Sequence, residues 1–196
     1  ITPEMVREAF RVALSPRRGP VVVNLPRDLL AETLESAGAP ASECRRSDGG
    51  FTASRALLEK ARALLAGAKR PLILAGGGVK NSRCGEAVLD LAALLEAPVV
   101  TSPGHGDAVS CNHRLYAGQV GPRGNAVASD LAKRADVILA LGTRLGFNTT
   151  FYTYDNLNKD ARIIQVESEP TAIGRFFPVE VGVLAAAGDV TRDLVA

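Results

Sequence analysis

Three short apolar runs in this chain each stop at a residue suited to the edge of a nucleotide crevice. Pro71 to Ala75 runs into Gly76-Gly77-Gly78, Val137 to Leu141 into Gly142, and Arg162 to Val166 into Glu167. Leu72-Ile73-Leu74-Ala75 is too uniformly apolar for a strand with one wet face, so it suits a parallel sheet covered on both sides. A buried strand followed by glycines and an amphipathic helix lets backbone N–H groups approach a pyrophosphate near the positive end of that helix. The pattern constrains the fold; it does not name a reaction.

The remaining pattern divides the chain in three. Thr2-Pro3-Glu4 has the grammar of a helix start and leads into Met5, Val6, Ala9 and Phe10 at helical spacing. Val21-Val22-Val23, ended by Asn24-Leu25-Pro26, reads as a short buried strand. One helix and one strand make no core, so residues 1–30 read as the C-terminal end of a preceding domain. Residues 31–50, rich in Ala, Ser, Gly and charge, read as a linker.

From Phe51 the pattern is regular, and 51–196 reads as one domain. Leu57, Leu58, Ala61, Leu64 and Leu65 form a helical stripe stopped by Gly67. After the glycine triplet, Asn81 or Ser82 is expected to cap a helix running to Leu95, followed by a strand at Pro98 to Thr101. Residues 103–123 and 143–159 read as loops, 125–135 as a helix, and Ile163 to Val166 and Val179 to Leu184 as strands. Gly188-Asp189-Val190-Thr191 opens a helix in which the chain ends, the pattern of an excised fragment. The alternation predicts an α/β fold: an open, doubly wound, mostly parallel sheet with helices on both faces, Rossmann-like, with ligand outside the carboxyl ends of the strands.

Composition excludes several classes. The 196 residues are 46% hydrophobic and 22% charged, an ordinary globular mixture. With 23 basic against 21 acidic side chains and no run of basic residues longer than a pair such as Arg45-Arg46, nucleic-acid binding is disfavoured. No apolar stretch approaches the roughly 18 residues of a membrane span. Cys44, Cys84 and Cys111, odd in number and without a CxxC, fit a reducing compartment, so a cytoplasmic location is expected.

Each candidate site residue has a plain structural reading beside the functional one. The triplet is either a phosphate-approach turn or a tight connection: position 81 is Asn where G-x-G-x-x-G needs glycine, and no P-loop is present. Glu167 has the address of an acid that accepts from ribose hydroxyls, or is a solvated strand-end carboxylate. Arg144, two residues after Gly142, offers a planar guanidinium to phosphate, or is a surface arginine. His105, Asp107, Cys111 and His113 are ligand types for zinc but match no zinc spacing, and turn residues explain them better. Ser102 and Ser110 lack a nucleophile elbow. Tyr116, Phe147, Phe151, Tyr152 and Tyr154 either stack on a ligand ring or anchor loops. No residue is assigned as catalytic or as a metal ligand.

Read together, PRRGPVVVNLPRDLL, RPLILAGGGVKNS, APVVTSPGHGDAVSCNHRLYAG, ADVILALGTRLG and ARIIQVESEPTAIGR resemble the thiamine diphosphate enzymes of the acetolactate (acetohydroxyacid) synthase type. The resemblance is to their central domain, preceded at Pro16 to Leu30 by the end of the pyrimidine-binding domain. It implies a six-stranded parallel sheet that in some members holds FAD and in others ADP or nothing. By position, Gly76, Gly77 and Gly78 would line the phosphates, Thr101 and Gly121 would flank the cofactor, and Gly142, Thr143 and Arg144 would approach it. Glu167 would meet the adenosine ribose, and Gly188 and Asp189 would close the adenine end.

Two departures remove positive charge opposite a pyrophosphate: Asn148 stands where a second basic residue is usual, and Gly104-His105-Gly106 where glycine, basic residue, glycine is usual. The resemblance further implies thiamine diphosphate and Mg2+ bound by flanking domains, homodimers or homotetramers, and a 2-oxo acid carboligase or decarboxylase reaction, a transferase or lyase activity. The residues that would hold thiamine diphosphate and magnesium are absent from this sequence, so the chain by itself is expected to be inactive. Two other readings stay open: a stand-alone nucleotide-binding module, electron-transfer-flavoprotein-like or sirtuin-like, and an architectural domain with an empty crevice. A sirtuin would need a zinc CxxC pair, which the chain lacks.

Overall fold

The computed structural model describes residues 3–15, 18–33 and 51–196, in two units, Ile1–Gly50 and Phe51–Ala196. In the first, α1 (Pro3–Ala13) carries Glu4 in its first turn and Arg11 in its last, each favourable to the helix dipole. None of its residues is buried, and Met5, Val6 and Phe10 are exposed. The strand expected at Val21-Val22-Val23 is not formed: residues 18–26 take no regular structure, and Val22 is 82% exposed. A strand needs a partner's N–H and C=O groups, and the described residues of this unit provide none.

The second unit contains α2 (Arg55–Ala66), β1 (Pro71–Ala75), α3 (Gly77–Asn81), α4 (Gly85–Leu95), β2 (Val99–Thr101) and β3 (Tyr116–Gln119). After them come α5 (Ala126–Arg134), β4 (Val137–Leu141), α6 (Phe147–Thr150), β5 (Arg162–Glu167), β6 (Val181–Leu184) and α7 (Ala187–Val195). The six strands form one sheet in the order β3-β2-β1-β4-β5-β6, parallel at every pairing. The open α/β fold read from the sequence is therefore present. One member of the sheet differs from the reading: β3 lies inside the stretch read as a loop, at 103–123.

Both faces of the sheet are covered, which is why its central strands read as unbroken apolar runs. Side chains alternate between faces along each strand. Ile73, Leu139, Leu141, Ile164 and Val183 point toward α2, α4 and α7, where Ala61, Leu65, Val88, Leu91, Val190 and Leu194 meet them. Leu72, Leu74, Ile138, Ala140 and Ile163 point the other way, onto Ala128 and Ala132 of α5 and onto Leu145, Leu157 and Phe177 from the loops.

The helix that follows the triplet also departs from expectation. Gly77 and Gly78 are already helical, in the short α3, and Ser82 stands at its C-cap, its N–H bonded to the Gly78 carbonyl. The longer α4 begins only at Gly85 behind Cys84, so neither Asn81 nor Ser82 caps it. A side chain at Gly85 would collide with the Ala108 carbonyl, its Cβ standing 2.5 Å from that oxygen, so the 108–109 segment fixes where α4 begins.

At the amino edge of the sheet Asp136 ties three strands together. Its carboxylate accepts from the N–H groups of Lys69 and Arg70 at 2.8 and 2.9 Å, and its own carbonyl accepts from Arg162 N–H at 2.9 Å. Desolvation opposes its ionisation, but the donated N–H groups prevail and hold its pKa below the ordinary carboxylate value.

Candidate functional site

The chain turns outward from β1 in one direction along the sheet and from β4 in the other, so the crevice between their carboxyl ends is the topological switch point. Ala75 pairs with Leu141 there, and both strands then run into glycine. Nearly every site residue read from the sequence lies at this carboxyl edge: Gly76, Gly77 and Gly78 after β1, Thr101 at the end of β2 and Gly121 after β3. Gly142, Thr143 and Arg144 follow β4, and Glu167 closes β5. Gly188 and Asp189 stand in the first turn of α7.

The glycines face protein at close range. Gly76 N–H donates to the Leu141 carbonyl at 2.9 Å, and Gly78 N–H to the Gly142 carbonyl at 3.0 Å. Two of the three triplet donors are thus bonded to the β4 chain. A Cβ on Gly78 would stand 2.5 Å from the Gly142 Cα, and one on Gly76 2.6 Å from the Thr143 Cβ. Over Gly77 lies the half-buried His105 ring: a Cβ there would be 2.9 Å from Cε1 and 3.0 Å from Nε2. Gly121, at φ +100°, is pressed on the Asn148 carbonyl, 2.5 Å from where its Cβ would stand. A Cβ on Gly188 would lie 3.1 Å from that of Ser82, so this glycine seats α7 against the end of α3.

The polar residues sort differently. Thr101 is fully buried, with its hydroxyl 3.4 Å from that of Tyr116, and Thr143, after β4, is buried as well. Arg144 is exposed. Glu167, 9% exposed, is the last residue of β5 and not one residue beyond it. Asp189 is paired with Arg192 at 2.5 Å. His105, Asp107, Cys111 and His113 do not converge, and no group of three or more metal-ligand side chains occurs among the described residues. Asp107 is instead bound to Lys80 of α3 at 2.6 Å, and that hydrogen bond holds its carboxyl below the ordinary value. Cys84 is buried, which raises its thiol pKa, and Cys111 is exposed; both are free thiols.

Of the aromatic residues, Tyr154 lies edge-on to the buried Phe177 at 5.1 Å, anchoring a loop. Phe147 contacts the rings of Phe151 and Tyr152 at centroid separations of 4.7 and 5.6 Å, and all three remain about half exposed. Sequence reasoning missed Gln165. Its amide donates to the carbonyls of Thr143 and Ala172 at 3.1 and 3.2 Å, and its Oε1 accepts from Gly174 N–H at 2.9 Å. It fixes the loop that carries Thr143 and Arg144. The available signal was a polar residue inside the apolar run Ile163-Ile164-Gln165-Val166.

Strand order, crevice and glycine-bearing turns together define an open, doubly wound α/β domain of the dinucleotide-fold class. The chain belongs to the family described as thiamine pyrophosphate enzyme, central domain, which matches residues 58–194. It is 38% identical over 190 residues to the sulfoacetaldehyde acetyltransferase of Roseovarius nubinhibens, an alignment covering 95% of this chain and 31% of that protein. To the acetolactate synthase of Mycobacterium bovis it is 29% identical over 194 residues, 99% of this chain and 31% of that one. The chain thus spans about a third of the length of these relatives. A crystal structure from Mycobacterium smegmatis, provisionally assigned as a thiamin diphosphate-dependent enzyme, shares the fold. Its TM-score is 0.77 at 20% identity, covering 98% of this chain and 36% of that one.

Proposed function

We propose that this chain is the central part of a longer thiamine diphosphate-dependent enzyme that acts on a 2-oxo acid as a carboligase or decarboxylase, in the manner of acetolactate synthase or an acetyltransferase. The match of residues 58–194 to the central-domain family carries the reading. In it, residues 1–30 close a pyrimidine-binding domain, 31–50 link, and 51–196 form the central domain. The exposed apolar side chains Met5, Val6 and Phe10 of α1 support a flanking domain that covers them.

Thiamine diphosphate and Mg2+ belong to the flanking domains in this reading; when bound, the thiamine ring supplies the electron sink for breaking the bond beside a 2-oxo group. The residues of this chain hold the flanking domains in register, Gln165 and the Gly78–Gly142 contact keeping the carboxyl edge fixed. The enzyme would work as a homodimer or homotetramer in the cytoplasm, without nucleic acid. Among the described residues no helix is long and apolar enough to cross a membrane.

The test is an assay with pyruvate, thiamine diphosphate and Mg2+, following acetolactate by NMR. The 196-residue chain alone should give no product above a blank, and the complete encoded protein should give thiamine-dependent turnover of a 2-oxo acid. Turnover by the chain alone, or failure of the complete protein to bind thiamine diphosphate, would overturn the proposal.

A further inference from the structure

The family reading brings FAD or ADP to the switch-point crevice, and the residues there do not fit a pyrophosphate. A phosphate-approach turn works by leaving N–H groups free and the space above the glycines open. Here the Gly76 and Gly78 N–H groups are bonded to the Leu141 and Gly142 carbonyls, and the space above Gly77 holds the imidazole of His105.

The loop carrying that ring is tied down at several points. Ser102 N–H donates to the Ala75 carbonyl at 2.9 Å, His105 N–H to the Ser102 carbonyl at 3.1 Å, and Ala108 N–H to the His105 carbonyl at 3.0 Å. Lys80 of α3 holds Asp107 two residues after the ring. Asn148 adds no charge near Gly121, where its carbonyl lies against the glycine.

We propose that residues 102–108 form a strap latched by Lys80 and Asp107, and that its His105 ring plugs the glycine turn so that the crevice refuses a nucleotide pyrophosphate. The triplet serves instead to let the β1 and β4 chains interlock. His105 is then the residue that decides ligand acceptance, and removing its ring opens the space above Gly77. The inference rests on the family reading only for the choice of FAD and ADP as probes, and it is read by binding rather than turnover, so either can fail without the other.

The experiment titrates FAD and ADP by calorimetry, with flavin fluorescence as a second readout, into the 196-residue chain, into His105→Ala and into Lys80→Ala. The unmodified chain is expected to show no saturable binding. His105→Ala should bind at least one of the two nucleotides more tightly than the parent by about tenfold or more. Lys80→Ala, which frees the strap and leaves the ring intact, should show an intermediate gain and serves alone if His105→Ala does not fold. Stoichiometric FAD or ADP on the unmodified chain overturns the proposal. So does an absence of gain in a folded His105→Ala, since the ring would then not be what excludes the ligand.

Discussion

Replacing Gly142 by alanine tests whether the two central turns are interlocked through their backbones. The residue sits at φ +59°, where an L side chain costs about 1 to 2 kcal/mol. Its new Cβ would stand 2.7 Å from the Gly78 nitrogen and 2.9 Å from the Gly78 carbonyl carbon, which forces the β1 turn away from β4. Such overpacking costs about 1 to 3 kcal/mol, and the displaced bond from Gly78 N–H to the Gly142 carbonyl about 1 more. The total, about 3 to 6 kcal/mol, approaches the whole stability of many domains. For a domain of this size it lowers Tm by roughly 10 to 20 °C. Thermal and urea unfolding followed by circular dichroism measure it, with Gly106→Ala as the control. Gly106 has nothing within 4 Å of a Cβ position and should change stability by no more than about 0.5 kcal/mol. A Gly142→Ala protein within about 1 kcal/mol of the parent would refute the interlock.

Three further outcomes are expected. Gln165→Leu removes two buried hydrogen bonds and a part-buried one and leaves the Thr143 and Ala172 carbonyls and Gly174 N–H without that partner, so the urea midpoint should fall by the equivalent of about 2 to 4 kcal/mol at unchanged slope. Asp136 has a depressed pKa, so its contribution is present above the unfolded value of about 4 and is lost as pH falls through the folded one. Asp136→Asn should therefore cost about 1 to 2 kcal/mol at pH 7, with the difference from the parent shrinking as pH falls below about 4; a difference that does not shrink in acid at all would assign the loss to shape and not to charge. Phe177→Ala, in the core at 3% exposure, should cost about 3 to 4 kcal/mol, and Phe151→Ala, 44% exposed, under about 1; equal losses in chemical denaturation would contradict the placement of Phe177 in the core.

The strands legible in advance were those buried on both faces. β1 and β4 announce themselves as PLILA and VILAL because helices and loops cover both sides and no polar residue is needed. β3 gives no such signal. Tyr116-Ala117-Gly118-Gln119 is a half-buried edge strand without a β-branched residue, held by pairing to β2. The opposite error arose at Val21-Val22-Val23, where β-branched residues signal a strand but the described residues of that unit give it nothing to pair with. At the crevice the glycines were legible as close-approach positions, but a glycine pressed on backbone and one facing phosphate look alike in sequence. Only the folded chain separates them, and here it sets Gly142 against Gly78 and His105 against Gly77.

The strand order also bears on how the chain is made. β1 sits at the centre of the sheet, between β2 and β4, and β4 follows long after it in sequence. On the ribosome, β1, β2 and β3 emerge first and can pair among themselves, which leaves one side of Leu72-Ile73-Leu74 as an open apolar edge until residue 141 has been synthesised. A chain stalled before β4 therefore displays a ready template for wrong pairing, and the arrival of Val137 to Leu141 closes it.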